Sequence, residues 1–189
     1  MNLTRRAVID KALKSSVLCL GFSVGGVTLM LTPEQARAQR VVLRTLKPDQ
    51  VKTLEVLAEA LVPGSVKLGV THFVDHQISA DPGDCLLIAK YLQAPVPYAG
   101  FYATGLKVAE GMAQSAAGKS LASLDAATLE NLLKQMSKPG TVVDGFPIFL
   151  FYLCLRSDAV DVVYGTPEGF EKLNVPYMQH ILPPEKWDA

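Results

Sequence analysis

The chain has 189 residues with 18 basic and 18 acidic side chains, so its charges balance over the whole sequence. This length favours one domain, and a domain of about 150 residues buries enough surface to be stable without disulfide or metal staples. Residues 1–38 hold five of the basic and two of the acidic side chains, which leaves residues 39–189 with 13 and 16. This mildly acidic balance, without dense Lys/Arg patches, gives no reason to expect a nucleic acid or an anionic membrane surface as partner.

The N-terminus has the three-part pattern of an export signal. Arg5 and Arg6 precede apolar residues, as in twin-arginine signals, and the uncharged stretch 15–31 follows. Small residues at Ala36 and Ala38 then form the A-x-A sequence that a signal peptidase reads. The pattern indicates a secretory signal recognised through its arginine pair and cleaved after Ala38.

We therefore expect residues 1–38 to be a twin-arginine signal peptide and residues 39–189 to be a periplasmic domain. The alternative is an uncleaved membrane anchor. Its 17 uncharged residues are diluted with glycine and lie at the lower limit for spanning a bilayer.

Two cysteines, Cys85 and Cys154, remain in the mature chain once Cys19 is removed with the signal. An oxidising compartment permits disulfides. Three arrangements stay open: two buried thiols, a bridge between Cys85 and Cys154, or a link from one of them to a partner chain.

The mature chain shows helical spacing of its apolar residues in six segments after an extended lead-in over 39–46. The predicted helices cover 48–61, a segment from a Thr71 cap to Ile78, 84–92, 98–117, 123–136 and 147–163. The fourth is rich in Ala and Gly, which favours close packing of its neighbours, and the sixth is apolar on all sides, which predicts the central buried helix. Four prolines predict an irregular tail over 165–189. The expected fold is all-α, with one domain of five to six helices and few or no strands.

Candidate chemical motifs are few. His72 and His76 lie one helical turn apart and are able to grip a metal, but no third ligand is near in sequence, so structural histidines are favoured. Gly118-Lys119-Ser120 imitates the end of a phosphate loop, yet the earlier glycine is replaced by Ala113. Asp158 and Asp161 are interpreted as solvated helix charges. We therefore expect no catalytic, cofactor-binding or metal site in this chain.

Two groups of short motifs stand in a fixed order within residues 46–177. The first group comprises Leu46-Lys47-Pro48-Asp49-Gln50, residues 54–61, Val62-Pro63-Gly64, Gly69-Val70 and Phe73-Val74-Asp75. The second comprises Phe149-Leu150-Phe151, Arg156, Asp158, Tyr164-Gly165, Pro167-Glu168-Gly169-Phe170 and Leu173. In order and spacing they resemble the opening and closing regions of the gluconate 2-dehydrogenase subunit 3 family. The chain departs from that pattern where Thr166 replaces a second glycine and Phe170 is the nearest aromatic to the family's Gly-Trp pair.

The resemblance implies a non-catalytic small subunit bound to a large FAD-binding dehydrogenase of the glucose–methanol–choline type. The large chain would oxidise a sugar or an alcohol and pass electrons to a c-type cytochrome or another acceptor, with any membrane attachment made through these partners. In such complexes the large chain often lacks a signal, which the small subunit supplies. A partner that folds around its flavin before export explains a twin-arginine signal on a chain without a cofactor site. The alternative is a stand-alone periplasmic helical protein with a binding or structural role.

Overall fold

The computed structural model describes residues 19–174. This part of the chain contains eight α-helices, one 3-10 helix and a two-stranded hairpin, joined by loops. The hairpin pairs β1 (Leu20–Val24) with antiparallel β2 (Val27–Leu31). The helices are α1 (Pro33–Ala38), α2 (Pro48–Leu61), α3 (Val70–Ile78), α4 (Ile88–Tyr91), α5 (Tyr98–Ala117), α6 (Ala126–Met136), α7 (Ile148–Tyr164) and α8 (Pro167–Lys172), with the 3-10 helix at Leu121–Ser123. This mostly helical architecture confirms the predicted all-α class. Within the described part, none of the helices has the combined length and apolar character that crossing a bilayer requires.

Helix α7 is the central helix of the domain, as its sequence predicts. Pro147 is its N-cap residue, and a proline fits the start of a helix because no backbone N–H is needed there. Helices α2, α3, α4, α5, α6 and α8 all pack against α7. Phe151 is completely buried, whereas Phe149 is only partly buried. Burial on several sides is the reason that α7 lacks the polar face of an ordinary surface helix.

Helices α5 and α7 approach each other closely because α5 carries a glycine at the contact. A Cβ atom at Gly105 would lie 2.3 Å from Cδ2 of Phe151. The Phe151 ring fills that space and packs edge-on against Phe101 and Tyr102, with ring centroids 6.2 and 5.8 Å apart. The predicted role of small residues in this helix is therefore confirmed at Gly105.

Residues 20–38, which the sequence analysis assigns to the signal peptide, pack on the helical domain. Helix α1 lies against α3. Gly69, the N-cap residue of α3 with φ 90°, comes so close to α1 that a Cβ atom there would lie 2.2 Å from the Pro33 carbonyl oxygen. The interpretation of residues 1–38 as a signal stays a prediction. The segment buries five apolar side chains: Leu20, Phe22, Leu31, Pro33 and Ala36.

Helices α2 and α5 occupy their predicted ranges, but the prediction for α4 is wrong. Helix α4 begins only at Ile88, four residues after the predicted start. The Asp81 carbonyl accepts the N–H groups of Asp84 and Cys85, and the Gln77 side chain accepts the N–H of Leu86 at 2.7 Å. These donors are held in a turn, so they are not available to a helix.

Two predicted helix starts are also wrong. Gly69, not Thr71, is the N-cap residue of α3, and the Thr71 hydroxyl donates to Glu55 at 2.9 Å. Helix α6 starts at Ala126 rather than at 123, because the Asp125 carboxylate accepts the N–H of Thr128 at 2.9 Å and caps the helix there.

The C-terminal tail is not irregular from residue 165 onward, which corrects the prediction. Helix α8 begins after Thr166, whose side chain accepts the N–H of Gly169 at 3.1 Å. Proline at the first helical position then favours a helix instead of breaking one. The remaining tail over 175–189 lies outside the described residues, as do Arg5 and Arg6 of the predicted export signal.

Candidate functional site

A cleft of about 210 Å³, here called the α3 cleft, opens between the hairpin, the loop before α2 and helix α3. Its walls come from Phe22, Ser23, residues 41–44, His72, Asp75 and His76. A second cleft of about 280 Å³ lies between α1, α7 and α8. Pockets for small organic ligands usually have at least about 300 Å³, so both clefts are small for a substrate or a flavin.

The two histidines of the α3 cleft are held as neutral rings. His72 Nε2 lies 3.1 Å from the Val41 carbonyl oxygen, and His76 Nε2 lies 3.1 Å from that of Gly21. A carbonyl only accepts, so each Nε2 carries the proton and each Nδ1 is the bare acceptor. Both Nδ1 atoms are buried without a hydrogen-bond partner among residues 19–174. Burial lowers the pKa of both rings.

The arrangement of His72 and His76 does not favour metal binding. The Nε2 atoms of His72 and His76 are engaged by backbone carbonyls, although the two rings share one face of α3 as the spacing predicts. Across residues 19–174, no three His, Cys, Asp or Glu side chains lie together in a group that would hold a metal ion. The geometry supports the structural interpretation of both histidines.

Asp75, which the sequence analysis left without a chemical role, organises the loop before α2. Its carboxylate accepts the backbone N–H groups of Arg44, Thr45 and Leu46 at 2.7, 2.9 and 2.8 Å. A carboxylate that accepts several N–H groups fixes the backbone around it, and charge-assisted bonds are the stronger kind. Asp75 therefore ties the chain entering α2 to helix α3.

A buried acid lies between α5 and α7. The Tyr102 hydroxyl donates to Asp158 Oδ2 at 2.5 Å, and Asp158 Oδ1 has no partner in the described part of the chain. Neither side chain has exposed surface. Burial raises the pKa of Asp158 to about 8, so the neutral acid predominates at pH 7. The interpretation of Asp158 as a solvated helix charge is wrong, because Asp158 lies on the face of α7 that packs against α5.

Both cysteines of the predicted mature chain are free thiols in the structure. Cys85 and Cys154 are buried, with 3% and 0% of their surface exposed. Burial, together with the neighbouring Asp158, raises the pKa of Cys154 to about 12. A thiol in this state is a poor nucleophile.

An exposed stretch around α4, here called the apolar segment, covers residues 86–96. Leu86, Tyr91, Leu92 and Val96 have 59%, 74%, 40% and 63% of their surface exposed. Single exposed apolar side chains are ordinary, whereas several together often mark a site of protein contact. The predicted helix over 84–92 overlaps this stretch, and helical spacing alone did not reveal its exposed apolar side chains.

The Gly118-Lys119-Ser120 sequence, which resembles the end of a phosphate-binding loop, begins at the C-terminal end of helix α5. Gly118 has the left-handed φ of 65° and its N–H bonds to the Gln114 carbonyl at 2.8 Å, which makes it the C-cap of α5. A phosphate-binding loop connects a strand to the start of a helix. The structure therefore gives this motif a structural role.

Comparison with known proteins identifies the chain. The family model for gluconate 2-dehydrogenase subunit 3 matches residues 48–181, which is most of the sequence. The chain belongs to the gluconate 2-dehydrogenase subunit 3 family. No curated protein and no solved structure matches it.

The family match covers most of the helical domain. It begins at Pro48, the first residue of α2, and runs through every later helix. Asp75, Gly105 and Asp158 all lie inside the part of the chain shared with this dehydrogenase-subunit family. The hairpin and α1, by contrast, precede the matched residues.

Proposed function

We propose that this chain is the non-catalytic small subunit of a periplasmic FAD-dependent sugar or alcohol dehydrogenase. It carries the export signal for a large flavoprotein of the glucose–methanol–choline type and stabilises that chain. Oxidation of the substrate and reduction of FAD take place in the large chain, and a c-type cytochrome or another acceptor takes the electrons onward.

Membership of the gluconate 2-dehydrogenase subunit 3 family is the observation that carries this proposal. The family name describes a subunit of a dehydrogenase complex rather than a complete enzyme.

The paired arginines supply the export part of the proposal. Arg5 and Arg6 precede an uncharged stretch and an A-x-A sequence, which together form the pattern of an exported protein. Twin-arginine export moves proteins that have already folded. A signal of this type on the small chain is explained if the chain is exported together with a bound partner that already contains its flavin.

The apolar segment gives the large subunit a surface to bind. Its four exposed side chains lie in one stretch of eleven residues, and burying such a patch between two chains is favourable in proportion to the apolar area removed from water. Tyrosine is enriched among the residues that contribute most to interfaces, which makes Tyr91, 74% exposed, the first residue to test.

Co-purification from the native host tests the proposal. A C-terminal tag on this chain should retain a larger chain with about one FAD per complex, detected by flavin absorbance and by mass spectrometry. The chain purified alone should carry no flavin and should oxidise no sugar. A yellow small chain free of any larger one would contradict the accessory role, and the absence of a flavoprotein from the tagged sample would favour the stand-alone alternative.

A further inference from the structure

The predicted processing site lies in hydrogen-bonded helical backbone in the folded chain, although Ala38 and Gln39 themselves are exposed. Ala36 has no exposed surface, and Ala38 is the last residue of α1. Beyond Ala38, the N–H of Gln39 bonds to the Gln35 carbonyl at 2.9 Å, and the N–H of Val41 bonds to the Ala36 carbonyl at 3.0 Å. Proteases cut exposed and flexible segments, so a bond flanked by helical hydrogen bonds is a poor substrate.

The hairpin fastens this segment to α3. Phe22 is 5% exposed, and its ring packs edge-on against His76 and His72, with centroids 5.1 and 6.5 Å away. The His76 ring also donates to the Gly21 carbonyl at 3.1 Å. These contacts hold β1, in which Leu20 and Phe22 are buried, whereas most of β2 is exposed.

Helix α1 is also held against α3, through a close backbone contact at Gly69. The space beside Gly69 is so tight that a Cβ atom would lie 2.2 Å from the Pro33 carbonyl oxygen and 2.8 Å from the Glu34 nitrogen. Thr32 caps α1 through a hydrogen bond from the N–H of Gln35 at 3.2 Å. Residues 20–38 are here called the strap. The strap is therefore anchored to α3 through β1 and through α1.

We propose that the strap holds the processing site in helical backbone in the folded precursor, and that the strap must leave α3 before the Ala38–Gln39 bond is cut. The inference rests on the proposed function for the identity of the site. Cleavage is a hydrolysis in which the amide bond breaks, water provides the second oxygen of the new Ala38 carboxylate, and Gln39 keeps the new α-amino group. Removal of the strap uncovers His72 and His76, so processing also exposes the face of α3 that the strap covers.

The direct test measures how fast a solubilised bacterial signal peptidase cuts the purified full chain. Phe22→Ala removes the ring that packs on the two histidines, and the strap should open more often. Cleavage of a protected site follows the population of the open form, so the rate should rise about tenfold or more. The control is Val27→Ala on β2, because the Val27 side chain is 61% exposed. The peptidase should cut this variant at the wild-type rate. Intact mass should show a product that starts at Gln39.

A second variant acts at the other anchor. Gly69→Ala places a Cβ atom against Pro33 and should release α1 directly. Thermal unfolding followed by circular dichroism reports whether the helical body of each variant stays folded, and hydrogen exchange of residues 33–39 reports opening of the strap without any protease. The proposal expects faster exchange in both Phe22→Ala and Gly69→Ala, and no change in Val27→Ala.

Equal cleavage rates in the wild type and in both strap variants would overturn the proposal, as would a cut at another bond. Resistance of every variant, together with rapid exchange of residues 33–39, would also overturn it, because opening would then not control cleavage. The proposed function is judged separately by the partner's presence and location. A strap that fails this test while the flavoprotein still co-purifies refutes the strap alone.

Discussion

Asp158 is the residue whose setting has the largest consequence for stability. Burial raises its pKa from an ordinary value of 3.8 to about 8, while the hydrogen bond from Tyr102 partly opposes the shift. Between these two values the folded chain holds a proton that the unfolded chain has released. The free energy of unfolding therefore falls as pH rises through this window. The contribution is fully present below pH 3.8 and lost above about pH 8.

Asp158→Asn should flatten this pH dependence, because an amide does not ionise and its oxygen still accepts from Tyr102. From pH 5 to pH 8 the free energy of unfolding of the wild type should fall, relative to that of the variant, by on the order of 4 kcal/mol. Urea unfolding at pH 5, 6, 7 and 8 measures it. The matched control is Asp144→Asn at an exposed carboxylate. Parallel stability curves for wild type and Asp158→Asn would show that Asp158 is already ionised in the folded chain.

Gly105 is the second residue with a specific requirement. Gly105→Ala should lower the free energy of unfolding by about 1–3 kcal/mol, because the new Cβ atom would lie 2.3 Å from the Phe151 ring in a packed core. Gly111→Ala is the matched control on the same helix, since no other atom lies within 4 Å of a Cβ there. It should raise stability by up to about 1 kcal/mol through helix propensity. Equal effects of the two changes would show that α5 and α7 are less closely packed.

The sequence predicts residue roles only where those roles are local. The helical spacing of His72 and His76 places both rings on one face, and the structure confirms this placement. Asp158 resembles any other aspartate near a helix end, and its burial depends on α5 lying across α7. The three N–H groups that bind Asp75 come from residues about thirty positions earlier, so no local pattern reveals that role.

At the scale of elements, α7 organises the domain by contacting helices on several sides. Phe151→Ala should cost about 3–5 kcal/mol, since the ring is completely buried and packs against Phe101 and Tyr102. Phe149→Ala should cost less, because that ring is only partly buried. Denaturant unfolding of the two variants measures the difference. A cost below about 1 kcal/mol at Phe151 would contradict the central position of α7.

The apolar segment around α4 is the element expected to bind the large subunit. Replacing Tyr91 and Val96 together by serine should reduce the flavoprotein retained on a tagged chain at least about tenfold, because a few central side chains carry most of an interface's binding energy. The melting temperature of the small subunit should hardly change, since both side chains are exposed. The control is Val142→Ser, 59% exposed in the loop before α7. Unchanged retention in the double variant would place the interface elsewhere.

Element boundaries are predictable where start and stop signals are unambiguous. Helix α2 begins at Pro48 and ends before Pro63-Gly64, and α5 begins after Pro97 and ends at Gly118, as the sequence indicates. The hairpin was missed although Gly25-Gly26 between two apolar runs is a typical two-residue turn. An uncharged apolar stretch fits a signal as well as a hairpin, so its composition alone does not separate the two. Helix α8 differs from the predicted irregular tail because Pro167 begins a helix instead of breaking one.

At the scale of the whole molecule, the described residues form a helical scaffold with clefts of about 210 and 280 Å³ and an apolar segment on its surface. This architecture suits a chain that acts by binding another chain. The family match over residues 48–181 indicates a subunit of a dehydrogenase complex, and among the described residues it leaves out 19–47, which include the strap. The proposed export signal and the proposed partner-binding segment therefore lie in different parts of one small protein.

The central claim is that this subunit carries a folded flavoprotein across the membrane, and export of the partner tests it most directly. Arg5→Lys with Arg6→Lys keeps the positive charge but removes the planar guanidinium groups. Dehydrogenase activity with an artificial electron acceptor is measured in periplasmic and cytoplasmic fractions of wild-type and variant cells. The account predicts that the activity moves to the cytoplasm of the variant at an undiminished total, with FAD still bound to the large chain. Normal periplasmic activity in the variant would contradict the carrier role.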